Sequence, residues 1–146
     1  VIDGTPECES AVRYGARRAE LASKKLTVIV AIDNQKETHW LGVERKIIEE
    51  AEENTKILIE QLQKSISHFS KVNISYEVLN GSKINIVNQI IKDKPDISYL
   101  VIASNNDKNS PGELVEFISK SGFSIPVVVI PGDMSNDTID KLVGIS

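Results

Sequence analysis

Short apolar runs alternate with longer amphipathic stretches along the chain. Residues 26–32, 99–103 and 125–130 carry no charge, are rich in β-branched side chains and are each followed by polar or turn-forming residues. Such runs are typical of parallel strands that are covered on both faces. Residues 72–79 alternate between apolar and polar positions and end at Asn80-Gly81-Ser82, which predicts a further strand.

The stretches between these runs repeat apolar or small residues every three or four positions, which is the period of an amphipathic helix. This period predicts helices over about 7–24, 41–69, 84–92 and 111–121, and a terminal helical turn over 135–143. The clearest stripe belongs to the second helix and consists of Val43, Ile47, Ala51, Leu58, Leu62, Ile66 and Phe69.

Strands and helices therefore alternate, which favours parallel pairing through right-handed crossovers. The chain opens with Val1-Ile2 directly before the turn Asp3-Gly4-Thr5-Pro6. Because strands usually contain about five or six residues, we interpret Val1-Ile2 as the end of a first strand and expect a few further residues upstream. The prediction is a single α/β domain over 1–146. It has a doubly wound, Rossmann-like, five-stranded parallel sheet of order 3-2-1-4-5, whose first strand is partly missing from the N-terminus.

Composition narrows the class of protein. The 146 residues are 40% hydrophobic and 26% charged, as in ordinary globular domains, and the net charge of -4 argues against nucleic acid binding. Cys8 is the only cysteine, so an intrachain disulfide is excluded. No apolar run reaches the roughly 20 residues that span a bilayer. We expect a cytoplasmic protein without a membrane or nucleic acid partner.

Ligands of open α/β sheets bind at the carboxyl ends of the strands, where the strand order reverses. For the predicted order, that point lies between the turn at Asp3 and the polar loop 104–112. The loop ends in Ser110-Pro111-Gly112-Glu113, which has the form of a capping box with Ser110 at the cap. A capping box would satisfy the N–H groups that otherwise attract a phosphate, and Glu113 would repel one.

Three segments in this order resemble the universal stress protein family. The first is Val1-Ile2-Asp3-Gly4-Thr5-Pro6-Glu7 with the alanine-rich helix after it, the second is 96–104, and the third is Ile125-Pro126-Val127-Val128-Val129-Ile130. Gly81 also stands where the family places a glycine. The resemblance extends over essentially the whole chain and implies the same doubly wound fold.

The resemblance also bears on nucleotide binding. Members of the family that bind ATP carry Gly-x2-Gly-x9-Gly-[Ser/Thr] after strand four, and its backbone N–H groups hold the phosphates. Here the first two glycines correspond to Ala103 and Asn106, and Glu116 stands ten residues beyond Asn106, with Gly112 as the nearest glycine. The motif is broken at every glycine, which implies weak ATP binding or none.

A variant nucleotide site remains the alternative. The resemblance places Asp3 near the nucleoside and Ala31 in the adenine pocket, while Ser104 would supply a hydroxyl and Lys108 a charge for a phosphate. The candidate cofactor-binding residues are Asp3, Gly4, Ala31, Ala103, Ser104, Asn106, Lys108 and Gly112. The opposing interpretation of Asp3 is a turn residue that binds its own backbone. We predict no cofactor, with ATP or AMP as the alternative.

Other chemistry has weaker support. His39 and His68 lie far apart and lack ligand spacing, so no metal site is predicted. His39-Trp40 would stack on a ligand or pack in the core. Cys8 lies in the first turn of a helix, a position that can lower the pKa of a thiol, but for a lone cysteine we favour a packing role. A receiver domain needs an aspartate where Asn80 stands and a lysine where Pro131 stands, which excludes that class.

The last strand favours a protein partner. Val127, Val128, Val129 and Ile130 are apolar and should lie at a sheet edge, where unpaired backbone groups invite pairing with another chain. The resemblance implies a homodimer through this strand. We expect a non-enzymatic, dimeric universal stress protein, with a nucleotide-binding member or a pure protein-interaction module as alternatives, and further protein partners are not identified by the sequence.

Overall fold

The structure is a computed structural model that describes residues 1–3, 5–32, 41–105 and 110–144, with the side chains of 41–48 and 51 left out. In the described residues, five helices and four strands alternate in the order that the sequence predicts. The strands are β1 (Lys25–Ile32), β2 (Asn73–Asn80), β3 (Leu100–Ser104) and β4 (Val127–Pro131). The helices are α1 (Cys8–Leu21), α2 (Leu41–Ser67), α3 (Lys83–Asp93), α4 (Glu113–Lys120) and α5 (Asn136–Leu142).

The strands pair in parallel but form two sheets in the described part of the chain. β1 pairs with β2 from Lys25↔Asn73 to Ile32↔Asn80, and β3 pairs with β4 from Leu100↔Val127 to Ser104↔Pro131. The predicted five-stranded sheet is therefore wrong as a count of strands, whereas the parallel pairing within each sheet is confirmed.

The first strand explains the difference. Ile2 makes an isolated parallel bridge with Val30, in which its N–H donates to the carbonyl of Ile29 (2.8 Å) and its carbonyl accepts from the N–H of Ala31 (3.0 Å). Within the described residues, Ile2 thus contributes one rung beside β1, and β1 and β3 belong to separate sheets. The bridge nevertheless lies beside β1, as the predicted order of strands requires.

Helices cover both faces of β1, because successive side chains of a strand point to opposite sides. Val28 and Val30 belong to a buried cluster with Val12 and Ala16 of α1 and with Leu62 and Ile66 of α2. The intervening Ile29 packs with Ile86 and Ile90 of α3. This arrangement is the doubly wound packing that the continuous apolar runs predict.

A third buried cluster forms around the second sheet. Ile102 of β3 is 1% exposed and packs with Val87 of α3 and Leu114 of α4. Val1 packs against this cluster and also against the cluster around Ile29. The N-terminal residue thus contacts the cores of both sheets.

Two helices differ in extent from the sequence prediction. α1 ends at Leu21 rather than near residue 24, because Ser23 takes a left-handed backbone (φ 53°) while Lys24 N–H donates to the carbonyl of Ala19 (2.8 Å). α4 begins at Glu113 rather than at Pro111. Within the described residues, no helix is both long enough and apolar enough to cross a membrane.

Candidate functional site

Three elements meet at the carboxyl ends of the strands around the side chain of Asp3. They are the turn before α1, the first turn of α3 and the start of α4. A cleft with a volume of about 50 Å³ lies between them and is lined by Asp3, Thr5, Cys8, Lys83, Ala103 and Gly112, among others. We call it the Asp3 cleft.

The carboxylate of Asp3 is fully engaged. Its Oδ1 accepts from the backbone N–H of Thr5 (3.0 Å), from the Thr5 hydroxyl (2.6 Å) and from the Cys8 thiol (3.3 Å). Its Oδ2 accepts from Nζ of Lys83, with which it forms an ion pair. Asp3 therefore caps its own turn, as the turn interpretation predicts, and also joins α3 to the N-terminal segment.

The ionised form of Asp3 is strongly favoured. Partial burial alone would raise the pKa of this carboxyl, but the hydrogen bonds from Lys83 and Thr5 outweigh the effect of burial and hold the pKa well below its ordinary value of 3.8. The pair places a negative and a positive charge side by side in the cleft, so that neither presents an unopposed charge.

Lys83 was missed by the sequence analysis. It is the first residue of α3, where Ser82 caps the helix by accepting from the N–H of Asn85 (3.3 Å). Gly81, before the cap, has a φ of 139°, which favours glycine. The signal was present in Gly81-Ser82-Lys83, since a residue that opens a helix at the carboxyl end of β2 points toward the same edge of the fold as Asp3.

Cys8 packs as a neutral thiol. Burial raises the pKa of Cys8, and its side chain lies against the buried cluster that contains Ile2 and Val12. The suggestion that the helix start lowers the pKa of Cys8 is therefore wrong: loss of water around the thiolate outweighs the helix end. The packing interpretation is confirmed.

The start of α4 differs from the predicted capping box. Gly112 is the N-cap, with φ 112° and no side-chain cap bond. Ser110 lies two residues earlier, where its hydroxyl accepts from the N–H of Gly112 (3.4 Å) and donates to Oε1 of Glu116 (2.9 Å). The capping-box prediction is wrong because the left-handed backbone of Gly112 moves the helix start past Ser110 and Pro111.

The loop before α4 is held to β3 by its backbone. Asn105 N–H donates to the carbonyl of Pro111 (2.8 Å), and a Cβ added to Gly112 would lie 3.5 Å from the Asn105 side chain. The first residues of α4, Glu113 to Val115, line the Asp3 cleft. The helix therefore reaches the cleft without a side-chain cap.

The structure brings some of the candidate residues together and separates others. Asp3, Ala103 and Gly112 line the cleft. Ser104 is not in the lining of the cleft, and its carbonyl accepts from the N–H of Gly132 (3.1 Å). Ala31 lies elsewhere and packs with the cluster around Ile29. Gly4, Asn106 and Lys108 lie outside the described residues.

Metal chemistry receives no support from the described part of the chain, where no three His, Cys, Asp or Glu side chains are grouped as a metal site requires. His39 and Trp40 lie outside that part.

The architecture places the chain in a recognised class of α/β proteins, the universal stress protein fold. The universal stress protein UspA from Lactobacillus plantarum has a similar structure, with a TM-score of 0.75 and 17% sequence identity over 88% of this chain and 92% of that chain. No protein-family model matches the sequence, and no curated protein sequence matches it. The likeness establishes the α/β fold of this class, which the sequence motifs predicted.

Proposed function

We propose that the chain is a universal stress protein that acts without catalysis, as a homodimer, with weak ATP binding or none. The proposal is supported by the likeness of its fold to UspA and by the family motifs in the sequence. In this view the protein acts in a stress response through its abundance and its protein contacts.

The observation that carries the proposal is that the Asp3 cleft is small and contains a closed ion pair. Pockets for small molecules usually measure about 300–1,000 Å³, and the cleft has about 50 Å³. The Asp3–Lys83 ion pair occupies it, so the ammonium group that would attract a phosphate is already neutralised. The carboxylate of Glu113, which also lines the cleft, opposes an incoming anion.

One observation favours the alternative, a nucleotide-binding protein with a variant phosphate loop. The N-terminus of α4 has no side-chain cap and lines the cleft, and free N–H groups at a helix start attract phosphates. In that case Lys83 would exchange Asp3 for a phosphate oxygen, and Lys108 would supply a further positive charge.

A thermal unfolding titration with Mg-ATP separates the two functions. A ligand present at 100 times its Kd stabilises the folded state by about 2.7 kcal/mol. We expect no shift of Tm at millimolar Mg-ATP and no release of inorganic phosphate above the buffer rate. A saturable shift that Lys83→Met abolishes and Lys92→Met preserves would contradict the proposal and support the nucleotide-binding alternative.

A further inference from the structure

Helix α5 packs against α1 directly after β4. The N–H of Gly132, which follows β4, donates to the carbonyl of Ser104 (3.1 Å), and a Cβ added to Gly132 would lie 2.6 Å from Cβ of Glu7. This close approach brings the chain to the start of α1, and α5 then contacts α1. Ile139 and Val143 are buried and, four residues apart, define the inner face of α5.

The neighbours of α1 fix the position of α5 on the sheet. α1 contacts β3, β4 and α5. The buried cluster that contains Val12, Leu62 and Val30 places α2 on the β1 side of α1, so α5 lies on the other side, next to β4. Among the described residues β4 is the last strand of its sheet. α5 therefore lies at the free edge of that sheet.

One flank of α5 faces away from α1 and toward this edge. The carboxylate of Asp140 bonds Arg13 and Arg17 of α1. Leu142 follows Asp140 by two residues, which is about 200° around a helix of 3.6 residues per turn. Leu142 therefore projects from the side opposite α1, where it is 60% exposed.

Charge divides the exposed surface of α5. Among the described residues of α5 and its N-cap, those that lie on the flank toward the sheet edge are uncharged: Ser135, Thr138 and Leu142. Asp137 and Lys141 are also exposed but lie on the side that faces solvent. A charged side chain loses its water in an interface, whereas a leucine and two small hydroxyl side chains let a second helix approach.

The free edge of β4 is too short to hold a dimer alone. It contains five residues, Val127–Pro131, which extend about 17 Å, and Pro131 has no N–H to donate. Stable interfaces bury about 800 Å² on each partner, which one row of five residues does not supply. The layers on the two faces of the edge must therefore contribute, and α5 is the helix next to one of them.

We propose that this flank of α5 is a second part of the dimer surface and packs against the same flank of α5 in a second copy of the chain. The proposal rests on the proposed dimer through β4. Strands in a sheet are about 4.8 Å apart and packed helices about 8–10 Å apart, so one helix covers about two strands. When two β4 strands pair about a two-fold axis, the next helix position beyond α5 is that of its copy. The two helices run antiparallel, with Leu142 of each against Ser135 and Thr138 of the other.

Sedimentation equilibrium of the unchanged 146-residue chain and of matched variants tests the proposal. Leu142→Lys places a charge on the flank, and Leu142→Met keeps an apolar side chain there. Leu21→Lys is the matched control, since Leu21 is 56% exposed at the end of α1. We expect the dimer Kd to rise by about tenfold or more for Leu142→Lys and to change by less than about twofold for the other two variants.

A second variant on the same flank, Thr138→Lys, should also raise the dimer Kd by about tenfold or more, and circular dichroism checks that every variant is folded. A dimer that is as tight in folded Leu142→Lys and Thr138→Lys as in the unchanged chain would overturn the role of α5 and leave the dimer through β4 standing. Equal weakening by Leu21→Lys would overturn it as well. A monomeric unchanged chain would overturn both this inference and the proposed dimer.

Discussion

Asp3 connects three parts of the chain through one carboxylate. It bonds the turn at Thr5, the thiol of Cys8 and the ammonium of Lys83. The ionised state of this carboxyl therefore stabilises the folded protein. A carboxyl whose pKa is lower in the folded than in the unfolded chain contributes stability above the unfolded pKa and loses it as the pH falls below that value.

Replacing Lys83 by methionine tests this linkage. We expect Lys83→Met to lower the free energy of unfolding at pH 7 by about 0.5–1 kcal/mol, as for a partly exposed ion pair. The difference from the unchanged protein should shrink as the pH falls below the ordinary Asp3 pKa of 3.8. Urea unfolding between pH 7 and acidic pH measures this difference in the free energy of unfolding, with Lys92→Met on the same helix as the control. A pH-independent difference would contradict the assigned role.

The partly buried thiol of Cys8 leads to a second prediction. Because burial raises the pKa of Cys8, little thiolate is present at neutral pH, and the thiolate is the nucleophile. Alkylation of the folded protein at pH 7.5 should be about tenfold or more slower than alkylation of the urea-unfolded chain. Faster alkylation in the folded state would indicate an activated cysteine and would refute the packing role.

Asp3 could be predicted from the sequence because its turn is local. Its carboxylate bonds the N–H of Thr5, two residues later, and this contact does not depend on the rest of the fold. The partner Lys83 lies 80 residues away and is brought near only by the crossover through α2 and β2. The capping box failed for a different reason. The backbone of Gly112 adopts a positive φ, which a pattern of residue types does not reveal.

At the scale of elements, α5 is held to α1 by charge as well as by packing. Asp140 accepts from Nε and Nη2 of Arg13 (3.0 and 2.9 Å) and from Nε of Arg17 (3.2 Å), and all three side chains are less than one fifth exposed. Arg13 and Arg17 also stack over the ring of Phe69, which follows α2. This group joins α1, α5 and the segment that follows α2.

Removing the charge of Asp140 should loosen this junction. Hydrogen bonds to charged groups contribute roughly 1.5–3 kcal/mol each, and this substitution would take the negative charge away from Arg13 and Arg17. We therefore expect Asp140→Asn to lower the free energy of unfolding by about 1–3 kcal/mol. Asp133→Asn, at an exposed position before the same helix, should change it by less than about 0.5 kcal/mol. Chemical unfolding of both variants and of the unchanged protein measures these differences. Equal free energies of unfolding for Asp140→Asn and the unchanged protein would show that the junction contributes little.

Elements were the most predictable level of the structure. Every described strand and helix was predicted within a few residues of its bounds. Strands that are buried on both faces require continuous apolar runs, and amphipathic helices require apolar residues with a period of 3.6, so both are visible in the sequence. The first strand is the exception, since of its residues Val1 and Ile2 only Ile2 is bridged, in parallel, to Val30.

In the whole molecule, β2 and β4 each expose one valine to solvent. Val129 of β4 is 39% exposed, and Val78 of β2 is 45% exposed. Each lies on a strand with one described neighbour. The proposed dimer uses β4 and leaves β2 free, so these two valines form a matched pair of positions for substitution.

The proposed function requires that the protein acts through a protein–protein surface and not through a nucleotide. Sedimentation velocity of the unchanged chain, Val129→Lys and Val78→Lys, each with and without millimolar Mg-ATP, separates these two modes of action. We expect a dimer for the unchanged chain and for Val78→Lys, a monomer for Val129→Lys, and no effect of Mg-ATP. A monomeric unchanged chain, or a dimer that forms only with Mg-ATP, would refute the proposed function.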